Sequence, residues 1–320
     1  LSEAGALARC LEAGGDDFLG KPYNRIIIEA KIKAFNRMRL MHRTLSDQRD
    51  LIRERNRQLT EEQEIAKRVF DNVAHSGCLD ASNIRYHASP LSIFNGDVVF
   101  ASPRPAGGML IFMGDFTGHG LPAAIGAMPV AEIFYGMANK GFNGQDVLRE
   151  INQKLKRILP TGMFCCGAMI EADFKLNQLQ IWNGGLPDGW LIRTTGELLA
   201  LPSRHLPLGI LAPDQFNADF ERVGAAPGDR VLMMTDGFLE SADSAGNVFG
   251  EQGVTGTLDR LDDGDHPFDA MMSAVHRFTG NFEDGDDLTL CCLEMMDEAG
   301  LATLPDRAAP SALAGPAEWR

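Results

Sequence analysis

The sequence predicts an α+β fold in which antiparallel β-sheet is the main component and a long helix comes first. Two features carry that prediction. Short apolar segments of strand character outnumber helical ones between residues 83 and 295. Several of them follow one another across turns too short for a parallel crossover. A third feature bears on function: aspartates stand beside glycines at the ends of four apolar strands.

Strands are expected over about 83–91, 96–102 and 109–114, followed by helices over 121–138 and 144–159. The first of these helices is rich in alanine, with small and apolar residues at helical spacing. Further strands are expected near 163–172, 178–183, 190–193, 198–201 and 230–234. A helix over 267–279 and a strand over 287–295 complete the set. Beyond residue 297 the Ala/Pro-rich segment has little to bury and is expected to be disordered.

The densest motif is Gly114-Asp115-Phe116-Thr117-Gly118-His119-Gly120, directly after the apolar run 108–113. Glycines let a backbone approach its neighbour closely. A carboxylate leaving a buried strand needs a partner, because an unpaired buried charge is costly. No Lys or Arg lies in this loop, so a bound cation is a candidate. Asp97 starts a strand in Asn95-Gly96-Asp97, Asp236 ends one in Thr235-Asp236-Gly237, and Asp286 and Asp287 open the last. Any one of these reads as an ordinary Asp-Gly turn. Four together, each joined to an apolar strand, exceed what turns require. Carboxylate oxygens without His or Cys suit hard ions such as Mg2+ or Mn2+.

The series Asn-Gly-Asp, Gly-Asp-Phe-Thr-Gly-His-Gly, Thr-Asp-Gly-Phe-Leu-Glu and Gly-Asp-Asp-Leu-Thr-Leu resembles the signature of metal-dependent type 2C (PPM) serine/threonine phosphatases. The bacterial SpoIIE/RsbU-like branch is the most similar, over about residues 62–296. The resemblance implies two stacked sheets flanked by helices, with a site for two Mg2+ or Mn2+ ions at one end. It also implies roles: Asp115 bridges both ions, Asp236 and Asp286 hold one and Asp97 the other, and Phe116 offers its backbone carbonyl. Asp115 and Asp236 are the catalytic candidates, and Asp287 falls outside the primary ligand set. His119, between two glycines, reads as structural. Two departures stand out: Phe100 occupies a position where the family often has a second acid, and Leu186 replaces a histidine in Trp182-Asn183-Gly184-Gly185-Leu186-Pro187. Arg204 and His205 are the nearest basic candidates for touching substrate.

The opening of the chain is similar to the last third of a response-regulator receiver domain, in an RssB-like arrangement. An amphipathic segment leads to Gly14-Gly15-Asp16-Asp17-Phe18-Leu19-Gly20-Lys21-Pro22 and then to a helix through Ile26, Ile27, Ile28 and Ile32. Lys21 matches the lysine that contacts the receiver phosphoryl group, while the phosphoacceptor aspartate belongs to an earlier strand outside this sequence. The expectation is therefore a piece of a longer protein. Its parts are a receiver remnant (1–37), a connecting helix or coiled coil (38–75), the phosphatase domain (76–296) and a tail (297–320).

Met38, Leu45, Ile52, Leu59 and Ala66 recur every seventh residue, whereas the column three positions on, Met41, Gln48, Arg55, Glu62 and Val69, is apolar only at its ends. A two-stranded coiled coil wants both columns apolar. The reading is an imperfect homodimer seam, with a solvated single helix as the other possibility. The net charge of −14 argues against a nucleic-acid partner. No membrane-spanning run or signal peptide is recognised, so a cytoplasmic protein is expected. The six cysteines include the adjacent pairs Cys165-Cys166 and Cys291-Cys292, whose side chains point to opposite faces of a strand and read as reduced core thiols.

Together these readings imply a response-regulator output phosphatase acting on phosphoserine or phosphothreonine of a protein. Its expected substrate is a phosphorylated anti-sigma-factor antagonist, and a histidine kinase or phosphotransfer protein would address the receiver. The alternative is a phosphorylation-gated, non-catalytic adaptor that binds a sigma factor or antagonist. In such adaptors the carboxylate set degenerates, and here all four acids are present.

Overall fold

The computed structural model describes residues 14, 21–74, 77–89, 96–105, 107–118, 120–262, 264–280 and 287–297. The chain divides into two compact units, 1–63 and 64–320. Apart from Gly14, the first is described from Lys21 onward, and those described residues form almost wholly one helix. That helix, α1 (Arg25–Ala74), is continuous and runs into the second unit. No Pro or Gly interrupts the sequence from Tyr23 to Ser76, so nothing separates the Ile26–Ile32 segment from the heptad stretch. The expected receiver-like segment before Lys21 lies almost entirely outside the described residues, as does the tail beyond Asp297.

The second unit holds two five-stranded sheets, antiparallel throughout. Its strands are β1 (Ile84–Ser89), β2 (Asp97–Pro103), β3 (Met109–Phe116), β4 (Cys165–Asp173), β5 (Gln178–Gly184), β6 (Gly189–Ile192), β7 (Leu198–Leu201), β8 (Glu221–Gly224), β9 (Arg230–Met234) and β10 (Leu288–Glu294). One sheet runs β1-β10-β9-β6-β7, the other β2-β3-β4-β5-β8. The helices are α2 (Leu121–Ala138), α3 (Gly144–Ile158), α4 (Asp236–Glu240), α5 (Gly250–Leu258) and α6 (Pro267–Thr279).

Alternation along the strands builds three apolar layers. In β3, Ile111 and Met113 face the second sheet, where they join Val231, Met233 and Leu293. Leu110 and Phe112 point the other way, into Phe100, Phe134 and Leu148 beneath α2 and α3. On the far side, Leu232, Met234 and Leu290 meet Phe238, Met271 and Val275 from α4 and α6. Strands covered on both faces read as continuous apolar runs, which is why β3 and β9 were legible. The cysteine pairs divide as the pleat requires: Cys291 enters the inter-sheet core and Cys292 the layer under α6. The cysteines among the described residues are free thiols.

Helix α2 is by length and composition apolar enough to cross a bilayer, a feature the sequence reading did not register. Half of it is buried, with Ala124, Ala127, Val130 and Phe134 in the layer against β2 and β3. Helix α3 is set by its ends: Asn143 accepts from the Asp146 amide at 2.8 Å, Asp146 lies in the first turn, and Lys156 and Arg157 lie in the last. The final turns of α1 belong to this domain, since Phe70 is buried beside Ala66 and Val73 in the α2–α3 layer. Packing thus begins ahead of the boundary near residue 76 that the motifs suggested.

Candidate metal centre

Asp97 is the first residue of β2, and Asp115 is the last but one of β3. The antiparallel register sets them directly opposite one another. Opposed side chains on neighbouring strands have Cβ atoms about 5 Å apart, and like charges there are destabilising. Asp97 is only 5% exposed, and Asp115 is half-buried. Burial, reinforced by the Asp115 carboxylate, pushes the Asp97 carboxyl up to about 8; Asp287 adds to the rise.

Two threonines of the opposite sheet moderate that shift. The Thr235 hydroxyl donates to Asp97 Oδ2 at 2.8 Å and itself accepts from the Thr289 amide at 3.1 Å. Thr235 N donates to Thr289 O at 3.0 Å, which closes the link between β9 and β10. The Thr289 hydroxyl faces the same carboxyl and lowers its pKa, although it has no partner in strict hydrogen-bond geometry. Both threonines are fully buried. The centre is therefore built across the two sheets, with its acid on one and the hydroxyls that orient it on the other.

Gly96 ties the parts together. Its amide donates to Asp287 Oδ2 at 2.6 Å, and its carbonyl accepts from the Phe116 amide at 3.1 Å. A Cβ there would lie 2.9 Å from Gly118 O, 3.2 Å from Asp287 Oδ2 and 3.3 Å from Phe116 O. Only glycine permits that approach, and the same contacts bring the Phe116 carbonyl beside the acids. Gly237 is equally constrained, since a Cβ would fall 2.2 Å from Asp287 O. The Asp-Gly step after β9 thus reflects a close backbone crossing as well as a turn.

Asp236 is exposed at the start of α4. Cys166 stands opposite Asp115 on β4, and its thiol is pushed up to about 12 by burial and then by Asp115, Asp236 and Asp97 in that order. One side chain therefore senses three of the predicted acids. Asp286 and His119 lie outside the described residues. Among the described residues no group of three or more His, Cys, Asp and Glu is close enough to hold a metal ion. What is gathered there is Asp97 opposite Asp115, with the Phe116 carbonyl and Asp287 around Gly96. This oxygen-only set, with one carboxyl held against its ordinary ionisation, fits a hard divalent cation.

The remaining predicted residues lie apart from this cluster. Lys21 is exposed ahead of α1, in the first unit. The Arg204 guanidinium is 3.6 Å from Glu221 of β8, and the His205 ring stacks on Trp182 at 5.2 Å. Thr235, Thr289 and Cys166 are the contributors that the sequence reading missed. Thr235 was visible as the residue before Asp236, but its hydroxyl's target is 138 residues away.

The model of the SpoIIE family, stage II sporulation protein E, matches residues 105–296, which is more than half of the chain. The chain belongs to the SpoIIE family. Three solved structures share the fold of this SpoIIE-family chain. The SiaA-PP2C domain of Pseudomonas aeruginosa is 19% identical with a TM-score of 0.63, over 75% of this chain and 98% of that one. The RsbU and RsbW domains of a Mycobacterium tuberculosis protein align at 19% identity and a TM-score of 0.55, over 67% and 61%. The PP2C phosphatase domain and a regulatory fragment of SpoIIE from Bacillus subtilis align at 19% and 0.53, over 66% and 62%. The chain spans about three fifths of the latter two. No match is found among curated proteins. The α+β architecture, with antiparallel sheets flanked by helices, is that of a PP2C-type (PPM) phosphatase domain.

Proposed function

We propose that this SpoIIE-family domain is a metal-dependent protein phosphatase that hydrolyses phosphoserine or phosphothreonine using two Mg2+ or Mn2+ ions. The observation that carries the proposal is the opposed pair Asp97 and Asp115, in a setting that penalises two negative charges without a cation. In this reading Asp115 would contribute to holding both ions, Asp97 would hold one, Asp236 and Asp286 would hold the other, and the Phe116 carbonyl would complete the set. The ions, when bound, would acidify a water and neutralise phosphate oxygens. The protein's part is positioning. Thr235 fixes the Asp97 carboxyl, the register fixes Asp115 opposite it, and Asp287 engages the Gly96 amide so that the strand end stays closed. No side chain need become covalently attached to the phosphoryl group.

The substrate in this proposal is a phosphorylated anti-sigma-factor antagonist. Upstream, a receiver domain that includes Lys21 would accept phosphate from a histidine kinase or phosphotransfer protein, in the cytoplasm. The exposed column Met38, Leu45, Ile52 and Leu59 on α1 supports pairing of two copies through that helix. The deciding experiment incubates the chain with a phosphorylated antagonist-type protein, with and without Mn2+. Mn2+-dependent phosphate release that is lost in Asp115→Asn is expected. Release that persists in Asp115→Asn, or no release with Mn2+, would overturn the reading.

A further inference from the structure

At the end of the sheets away from the carboxylates, α5, α6 and the first residues of β1 and β9 line an open surface cavity of about 960 Å³. Arg230 opens β9, and Asp236 follows six residues on. At about 3.3 Å per residue, roughly 20 Å separates the cavity from the acids. The lining carries Arg85, Arg230, Arg260, Arg277 and His266, a concentration of basic groups in a chain of net charge −14.

The arginines are not equivalent. Arg85 is 2.5 Å from Asp269, and Arg230 is 2.8 Å from Glu294. Arg260 and Arg277 form no ion pair among the described residues; Arg277 Nε only donates to the Ser273 carbonyl at 3.1 Å. His266 Nδ1 accepts from the Phe268 amide at 3.3 Å, which puts the neutral ring's proton on Nε2 as a further donor. Phe249 and Phe278 meet edge to face at 5.4 Å and supply an apolar wall.

Helix α5 carries three glycines in nine residues, although glycine is the poorest helix former after proline. Gly253 has a packing reason, since a Cβ there would lie 2.7 Å from the Phe249 ring. Gly256 has none: a Cβ would meet nothing within 4 Å, and the residue lines the cavity. The side chain missing at this position leaves room in the cavity and serves no contact in the fold.

We propose that this cavity is a binding site for a phosphate-bearing small molecule of about nucleotide size. Arg260 and Arg277 take the phosphates through their planar donor forks, and the apolar wall takes the remainder of the molecule. The volume is at the upper end of the range for such ligands. An acidic peptide suits the site less well, because charge spread along a chain would meet Asp265 and Asp269, whereas a compact phosphate group concentrates its charge on the two arginines.

The test titrates ATP, pyrophosphate and inorganic phosphate into the full chain by calorimetry and thermal shift, with EDTA present so that no cation can recruit phosphate to the carboxylates. ATP should bind saturably and raise the melting temperature. Arg260→Ala and Arg277→Ala should each weaken it roughly tenfold, as the loss of a charge-assisted hydrogen bond implies. Gly256→Leu should block the cavity while the ligand-free melting temperature holds or rises. The proposal is overturned if none of the three probes binds, or if the substitutions leave affinity unchanged. Equal affinity for inorganic phosphate and ATP would remove the apolar wall from it. Binding of a polyglutamate peptide but not of ATP would assign the cavity to a protein partner instead.

Discussion

Replacing Asp97 by Asn should stabilise the cation-free protein, by an amount that grows with pH. The ordinary carboxyl pKa of 3.8 is raised to about 8 in the fold, first by burial and then by Asp115. A group whose folded pKa lies above its unfolded one contributes its full stability below the unfolded value and loses it as pH rises through the folded value. The window is therefore about pH 4 to 8, and stability falls across it. Each unit corresponds to about 1.4 kcal/mol, so at pH 7 the aspartate costs the cation-free fold roughly 4 kcal/mol relative to a neutral isostere. At pH 5 the same arithmetic leaves under about 2 kcal/mol.

Asparagine keeps an oxygen to accept from Thr235 and has nothing to ionise. The assay is urea unfolding of both proteins in EDTA between pH 5 and 8. The expected result is a stability difference that widens in favour of Asp97→Asn by roughly 1 kcal/mol or more per pH unit. Adding Asp115→Asn to the wild type should lower the Asp97 pKa and narrow that window from above. A difference that stays constant with pH, or an Asp97→Asn protein that is less stable throughout, would refute the claim that burial and the neighbouring Asp115 hold the Asp97 carboxyl above its ordinary pKa.

Three further outcomes are expected. Mn2+ binding near pH 7 should release close to one proton, because Asp97 must ionise to serve as a ligand; calorimetry in buffers of different ionisation enthalpy reads this directly. Gly126→Leu should cost about 1–3 kcal/mol and weaken Mn2+ binding, since a Cβ at 126 would lie 2.9 Å from the Phe116 ring; unchanged Mn2+ affinity by calorimetry would separate α2 from the centre. Replacing Ile52 and Leu59 with Glu should convert a dimer to monomers in light scattering, and a wild-type chain that is monomeric at high concentration would remove the seam.

What was legible in the sequence follows from covering both faces of a strand. β3, β9 and β10 declare themselves as unbroken apolar runs, and α2, α3 and α6 by small residues, caps or helical spacing. The elements that escaped lack such signals. β8, Glu-Arg-Val-Gly, is largely exposed and exists because the edge of β5 accepts a partner. α4 begins at Asp236 and is five residues long, so it read as a turn. α5 was hidden by its three glycines, two of which line the cavity.

The candidate centre divides the same way. Acids beside glycines at strand ends were visible because close backbone approach leaves a compositional trace, at Gly96 and Gly237 above all. The threonines left none, because a hydroxyl before an acid is common and its role depends on the stacking of two sheets. That stacking also gives the centre its mechanical character. Asp97 sits on one sheet and takes its orienting hydroxyl from the other, while the Phe116 ring occupies the space that Gly126 leaves on α2. A shift of α2 therefore moves the ring, the strand end and the Phe116 carbonyl together, whereas a shift between the sheets moves the Asp97 carboxyl. Cation binding should respond to both displacements, and Gly126→Leu tests the first without replacing any predicted ligand.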